Sequence, residues 1–238
     1  MIVDIFIPCF IDQFYPQTAL NMVQLLERAG CGVSYNPEQT CCGQPAFNAG
    51  RVDDCKAIGE KFIREFTNDR YIVTPSASCV GMVKNYYPEV FRNSASYNQY
   101  KLIHKNIIEF SDFMVNVLRV TELGAKLEAK AVYHDSCAAL RELNLKNEAR
   151  ILLSKVRGLK LREMKEQDVC CGFGGTFSTK HPAIASSMAE QKINNALQED
   201  AEIIISTDLS CLMHIQSYAS KQAKPVKSMH LIDVLASS

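Results

Sequence analysis

Apolar residues along this chain recur in two registers. Short runs rich in β-branched and aromatic residues span Val3 to Ile7, Gly32 to Tyr35, Tyr71 to Thr74, Ala131 to Tyr133 and Ala201 to Ser206. Turn residues bound them, and they predict strands. Between them, longer stretches repeat apolar positions at helical spacing. Pro16 to Ala29 aligns Ala19, Leu20, Val23 and Leu26, with Gly30 where a C-cap belongs. Val52 to Phe66 presents Ile58, Phe62, Ile63 and Phe66, and further helices are predicted near Lys146 to Val156 and Ala183 to Leu197. Strands alternating with helices predict an α/β fold with mainly parallel sheets.

The pattern occurs twice. Aligning the halves sets Cys9 on Cys137, Cys41-Cys42-Gly43 on Cys170-Cys171-Gly172, and Cys79 on Cys211. Each first cysteine follows a β-rich run, so the elements repeat together with the thiols. The expected organisation is two pseudo-symmetric cysteine-rich half-repeats, 1–100 and 129–238, joined by a helical segment over 101–128. The break between the halves is expected between about Tyr87 and Lys105, where Pro88, Asn93, Ser94, Ser96 and Asn98 cluster without clear period.

Bulk properties narrow the chemistry. At 238 residues and 47% hydrophobic, the chain can bury a real core, and 26 basic against 26 acidic residues give no field to gather nucleic acid or anionic membrane. No apolar run approaches the roughly 18 residues of a spanning helix. The N-terminus reads as a buried strand rather than an export signal, because Asp4 interrupts it and no basic region precedes it. Ten cysteines in a chain read as cytoplasmic point to metal or redox chemistry rather than a disulfide framework.

Position sharpens that reading. Cys9, Cys79, Cys137 and Cys211 all lie just after predicted strands, where α/β folds build their sites. Adjacent side chains in a regular strand point to opposite faces, so each Cys-Cys pair requires a loop, and Gly43 and Gly172 supply its unusual dihedrals. Vicinal thiolates suit a multi-iron cluster better than a single zinc ion, whose ligands are usually spaced by two to four residues. Zinc in one half stays as the alternative. Cys31 and Cys55 have no counterpart in the other half and read as core thiols.

Other residues carry less. His134 beside Asp135 reads as a hydrogen bond holding the Cys137 loop rather than as a catalytic base. His230 reads as a cap for a C-terminal helix. Gly172-Phe173-Gly174-Gly175 lacks the third glycine of a phosphate-binding loop, since Phe177 stands there. No ferredoxin-type cysteine run is present, so other subunits must continue any electron path.

The segments Cys41-Cys42-Gly43-Gln44-Pro45-Ala46, Tyr133-His134-Asp135-Ser136-Cys137, Cys170 to Ser178 and Ser210 to Ile215 resemble the lactate utilization protein A family. Its cysteine-rich CCG-domain relatives include the CCG-containing component of heterodisulfide reductase and the iron–sulfur subunit of glycolate oxidase. The resemblance implies an iron–sulfur electron-transfer subunit of a complex oxidising L-lactate to pyruvate, with a ferredoxin-type iron–sulfur protein among its partners. Any membrane association would run through those partners. In the heterodisulfide reductase pattern each motif ends in Cys-x-x-Cys, whereas Met82 and His214 stand at those positions here. Four thiolates per half then suit one or two ordinary four-iron clusters. Met82 is expected to pack, and His214 is a further candidate donor, although a polar helix residue is the plainer account of it. A heterodisulfide or thiol reductase, and a zinc-stabilised assembly module without a redox role, are the competing readings.

Overall fold

The computed structural model describes residues 1–238 as an α/β protein with two four-stranded parallel sheets. In the first, β1 (Ile2–Ile5), β2 (Gly32–Tyr35), β3 (Ile72–Thr74) and β4 (Ile107–Glu109) lie in the order β2-β1-β3-β4. In the second, β5 (Lys126–Tyr133), β6 (Arg157–Arg162), β7 (Ile203–Ser206) and β8 (Lys227–His230) repeat that order as β6-β5-β7-β8. Every pairing is parallel. The central strands explain themselves: Ile203, Ile204, Ile205 and Ser206 are all buried, as a strand covered on both faces must be.

Three strands were not legible from the apolar pattern. β4 is three residues long and lies in the segment expected to link the halves, where it follows the helix Tyr97–Asn106 and adds a fourth strand to the first sheet. β6 and β8 are edge strands carrying Arg157, Lys160, Arg162 and Lys227, charges that blunt an exposed edge. One helix face also differs from expectation. The helix Pro16–Arg28 buries Thr18, Met22, Leu25 and Leu26, while Leu20 is 56% exposed. Met22 and Thr18, not Leu20, complete the inward stripe.

The halves pack as one body. A core of 40 buried residues draws on both, with Val3, Ile5 and Phe113 from one side and Val132, Ile204 and Leu231 from the other. A second cluster, built around Phe6, Phe62, Phe66, Tyr87 and Phe91, belongs to the first half. Met82 is fully buried within it, as packing predicted. Polar ties cross the seam as well. Thr18 Oγ1 and Asn21 Nδ2 donate to the Asp233 carboxylate at 2.8 and 2.9 Å, and His230 Nε2 donates to the Pro75 carbonyl at 3.1 Å. His230 Nδ1 accepts from Ile232 N–H, so the residue caps the helix Leu231–Leu235. No helix is long and apolar enough to cross a membrane.

Candidate metal centre

Parallel strands send their carboxyl ends the same way, and all eight repeated cysteines sit there. Cys9 opens the helix Cys9–Phe14 shortly after β1, and Cys137 follows β5 ahead of the π-helical turn Ala138–Glu142. Cys79 and Cys211 lie in the first turns of helices beginning at Ala77 and Leu209, after β3 and β7. A helix N-terminus carries partial positive charge and favours a thiolate. Cys41-Cys42 and Cys170-Cys171 occupy the loops after β2 and β6. Gly43 at φ +83° and Gly172 at φ +95° adopt left-handed conformations there. Each turns its N–H onto a sulfur, Gly43 onto Cys41 Sγ and Gly172 onto Cys170 Sγ, both at 3.4 Å.

The two sets meet. All eight sulfur-bearing residues line a single cavity of about 550 Å³ between the halves. Within the first half, Cys9 Sγ and Cys41 Sγ are 3.6 Å apart, and Cys42 Sγ and Cys79 Sγ 3.4 Å. Two thiolates on one tetrahedral ion with metal–sulfur bonds of about 2.3 Å stand about 3.8 Å apart, so both pairs are close to chelating distance. With only protons to share, the sulfurs hydrogen-bond to one another. That bonding, first with Cys41 and then reinforced by burial, holds the Cys9 thiol far above its usual range, and the Cys42 contact pushes Cys41 up to about 11. In the second half Cys137 is pushed up by Cys170, whose own pKa the same contact draws down. A metal must displace these protons in order to bind.

The lining suits a metal. Its only charged side chains are Glu142 and Asp208; no Lys, Arg or His lines it. Asp208 was not legible as a site residue. It is buried, accepts from Ser78 N–H at 2.9 Å, Ser78 Oγ at 3.0 Å and Ser210 Oγ at 3.0 Å, and so ties the helix behind Cys79 to the one carrying Cys211. Burial pushes its carboxyl up. The Cys137 loop has its own clamp: Arg150 grips Asp135 at 2.8 and 2.9 Å and Glu163 at 2.6 and 2.9 Å, and lies over the Tyr133 ring.

The histidines fall differently. His214 Nε2 donates to the Ala185 carbonyl at 3.1 Å, its ring lies by Phe173, and it does not line the cavity. His134 makes the loop contact expected of it, with Nδ1 3.3 Å from the Gln167 carbonyl. Its other nitrogen, Nε2, has no partner, and a ring nitrogen of His134 stands with the Cys171 and Cys211 sulfurs in a group whose donor atoms all lie within 4.8 Å. Burial pushes this imidazole down to about 3, so it is neutral. Cys31 and Cys55 are buried thiols, and neither lines the cavity.

Fold and site together define a class: a duplicated α/β cysteine-rich protein that gathers cysteine sulfurs from both repeats at the carboxyl ends of its strands. The cysteine-rich (CCG) domain model matches twice, over residues 3–84 and 131–216. The chain is 42% identical over 237 residues to Lactate utilization protein A of Halalkalibacterium halodurans, covering 99% of this chain and 96% of that protein. It is 41% identical to Lactate utilization protein A of a Geobacillus species, over 100% of both chains. The chain thus belongs to the lactate utilization protein A family of CCG-domain proteins. Among solved structures, a hypothetical protein from Helicobacter pylori shares the fold with a TM-score of 0.60 at 13% identity, covering 98% of this chain and 48% of that one. The chain therefore matches about half of that structure.

Proposed function

We propose that this protein is the iron–sulfur electron-transfer subunit of a cytoplasmic multi-subunit complex that oxidises L-lactate to pyruvate. Eight cysteine sulfurs from two repeats lining one cavity without a cationic side chain carry this reading. Such a cavity offers a carboxylate no cationic partner, so a 2-hydroxy acid would bind on a partner protein, and electrons would pass here. The names of the full-length relatives support lactate as the fuel.

Cys9, Cys41, Cys42 and Cys79 would hold one centre, and Cys137, Cys170, Cys171 and Cys211 the other, each as a four-iron cluster. A bound cluster supplies one-electron transfer. The chain's own residues orient the thiolates, direct the Gly43 and Gly172 N–H groups at sulfur, and shield the site between the two halves. Hydrogen bonds to sulfur raise a cluster's reduction potential by stabilising added charge. The remaining electron path would belong to partners, a ferredoxin-type iron–sulfur protein among them.

One observation favours a second reading. The sulfur pairs at 3.4 and 3.6 Å suit two thiolates on a single ion, as zinc would hold them. Anaerobic purification followed by iron, sulfide and zinc assays and electron paramagnetic resonance separates the two. Iron and sulfide are expected in wild type, with about half lost in Cys42→Ser and in Cys171→Ser. Zinc without iron, or iron content untouched by either substitution, would sink the electron-transfer reading.

A further inference from the structure

The repeats are alike in topology and in sulfur, yet the layer behind the sulfurs differs. Three residues before Cys9 stands Phe6, and three before Cys137 stands His134. Seven residues beyond Cys55, which packs on Gly43, stands Phe62; seven beyond Ala185, which packs on Gly172, stands Lys192. The first pair forms an edge-to-face aromatic contact, with ring centroids 4.8 Å apart. The second is polar. His134 Nδ1 and Lys192 Nζ converge on the Gln167 carbonyl at 3.3 and 3.4 Å, although His134 is fully buried and Lys192 only 2% exposed.

Two buried polar side chains in place of two phenyl rings cost folding free energy unless something uses them. Lys192 is satisfied by the Glu166 and Gln167 carbonyls. His134 is half satisfied. A carbonyl oxygen can only accept, so the Gln167 contact puts the proton on Nδ1 and leaves a lone pair on Nε2. That atom has no hydrogen-bond partner, and His134 forms a compact group of possible donors with Cys171 Sγ and Cys211 Sγ. A ring nitrogen oriented by a carbonyl on its far side is how proteins present imidazole to a metal.

We propose that His134 Nε2 is a metal donor of the second centre, which makes that centre a mixed sulfur and nitrogen site while the first is held by sulfur alone. The proposal rests on the metal reading of the cavity, whose wall at Cys171 and Cys211 His134 backs without itself lining it. The two centres are then chemically inequivalent despite the duplication. His134 would then take the place of one of the four thiolates assigned above to the second centre, a neutral donor for an anionic one, and with the Lys192 ammonium behind the site that centre would have the higher reduction potential.

The test uses the full chain purified anaerobically, with metal content measured first. In iron-loaded protein carrying Cys41→Ser and Cys42→Ser, pulsed electron paramagnetic resonance of the reduced state reads the second centre alone. A strongly coupled nitrogen is expected, which changes isotope when only histidine is labelled with ¹⁵N and disappears in His134→Phe but persists in His214→Gln. The labelling arm needs no substitution at His134, so a folding defect cannot mask the answer. If the protein carries zinc instead, zinc-edge X-ray absorption of the same variants should show a nitrogen scatterer lost in His134→Phe. A metal-free wild type overturns the metal reading and the proposal together. Metal present with no histidine nitrogen, or a nitrogen that survives His134→Phe, overturns the proposal alone.

Discussion

Alanine at the two glycines of the Cys-Cys-Gly loops should be unequally harmful, and the inequality can be worked out from their surroundings. Both positions are left-handed, which costs a residue with a Cβ about 1–2 kcal/mol. At Gly43 the added carbon would meet the Cys55 carbonyl oxygen at 3.2 Å and its sulfur at 3.3 Å, so the helix Val52–Glu65 need give only a few tenths of an ångström. At Gly172 it would meet the Ala185 carbonyl oxygen at 2.8 Å and Met188 Cβ at 3.0 Å. Both belong to the helix Pro182–Gln198, so a 17-residue element must move. Overpacking of this kind adds about 1–3 kcal/mol. Gly43→Ala should therefore cost about 1.5 kcal/mol and Gly172→Ala about 3 kcal/mol. For a chain of this size that is roughly 3–6 °C against 6–12 °C in melting temperature. Calorimetry on reduced, metal-free protein isolates the backbone effect from metal binding. Equal shifts, or a larger one for Gly43→Ala, would refute the view that the closeness of the helix contact, 2.8 against 3.2 Å, rather than φ alone decides the difference.

Two further outcomes follow from buried charge. Burial, only partly offset by the Ser111 contacts, pushes Glu109 from 4.5 up to about 7. The folded state thus holds this proton where the unfolded chain has released it, so stability falls as pH rises from about 4.5 to 7, by about 3 kcal/mol in all. Glu109→Gln should flatten that part of the urea-denaturation profile; an unchanged pH slope would count against it. Arg150→Met should cost about 3–5 kcal/mol because Asp135, 2% exposed, loses its bidentate partner. Adding Asp135→Asn should recover part of this, and a double variant as unstable as the sum of both singles would rule out the pairing as the cause.

Much of the fold was legible because its signals are local. Apolar runs marked β1, β2, β3, β5 and β7, and helical spacing marked the long helices. The strands that escaped owe their place to neighbours rather than composition: β4 is short, β6 alternates Leu with Arg and Lys, and β8 opens on Lys227 and Ser228. The cysteines were legible as repeating sets. What spacing could not convey is distance across the seam, since nothing in the order of residues says that both sets open into one cavity. Asp208 and Glu142 escaped for the same reason. Their neighbours Ser78 and Tyr86 lie in the opposite half.

The cavity on the seam also bears on how such a chain can diversify. Two identical copies of a single repeat, associated by a two-fold axis through the site, would be bound by symmetry to carry the same residue at both places behind the sulfurs. A phenyl ring could not face one set while an imidazole faced the other. Joining the copies in one polypeptide lifts that constraint. Each side becomes separately mutable while the geometry that brings them together persists, and Phe6 and His134 mark where the two have parted.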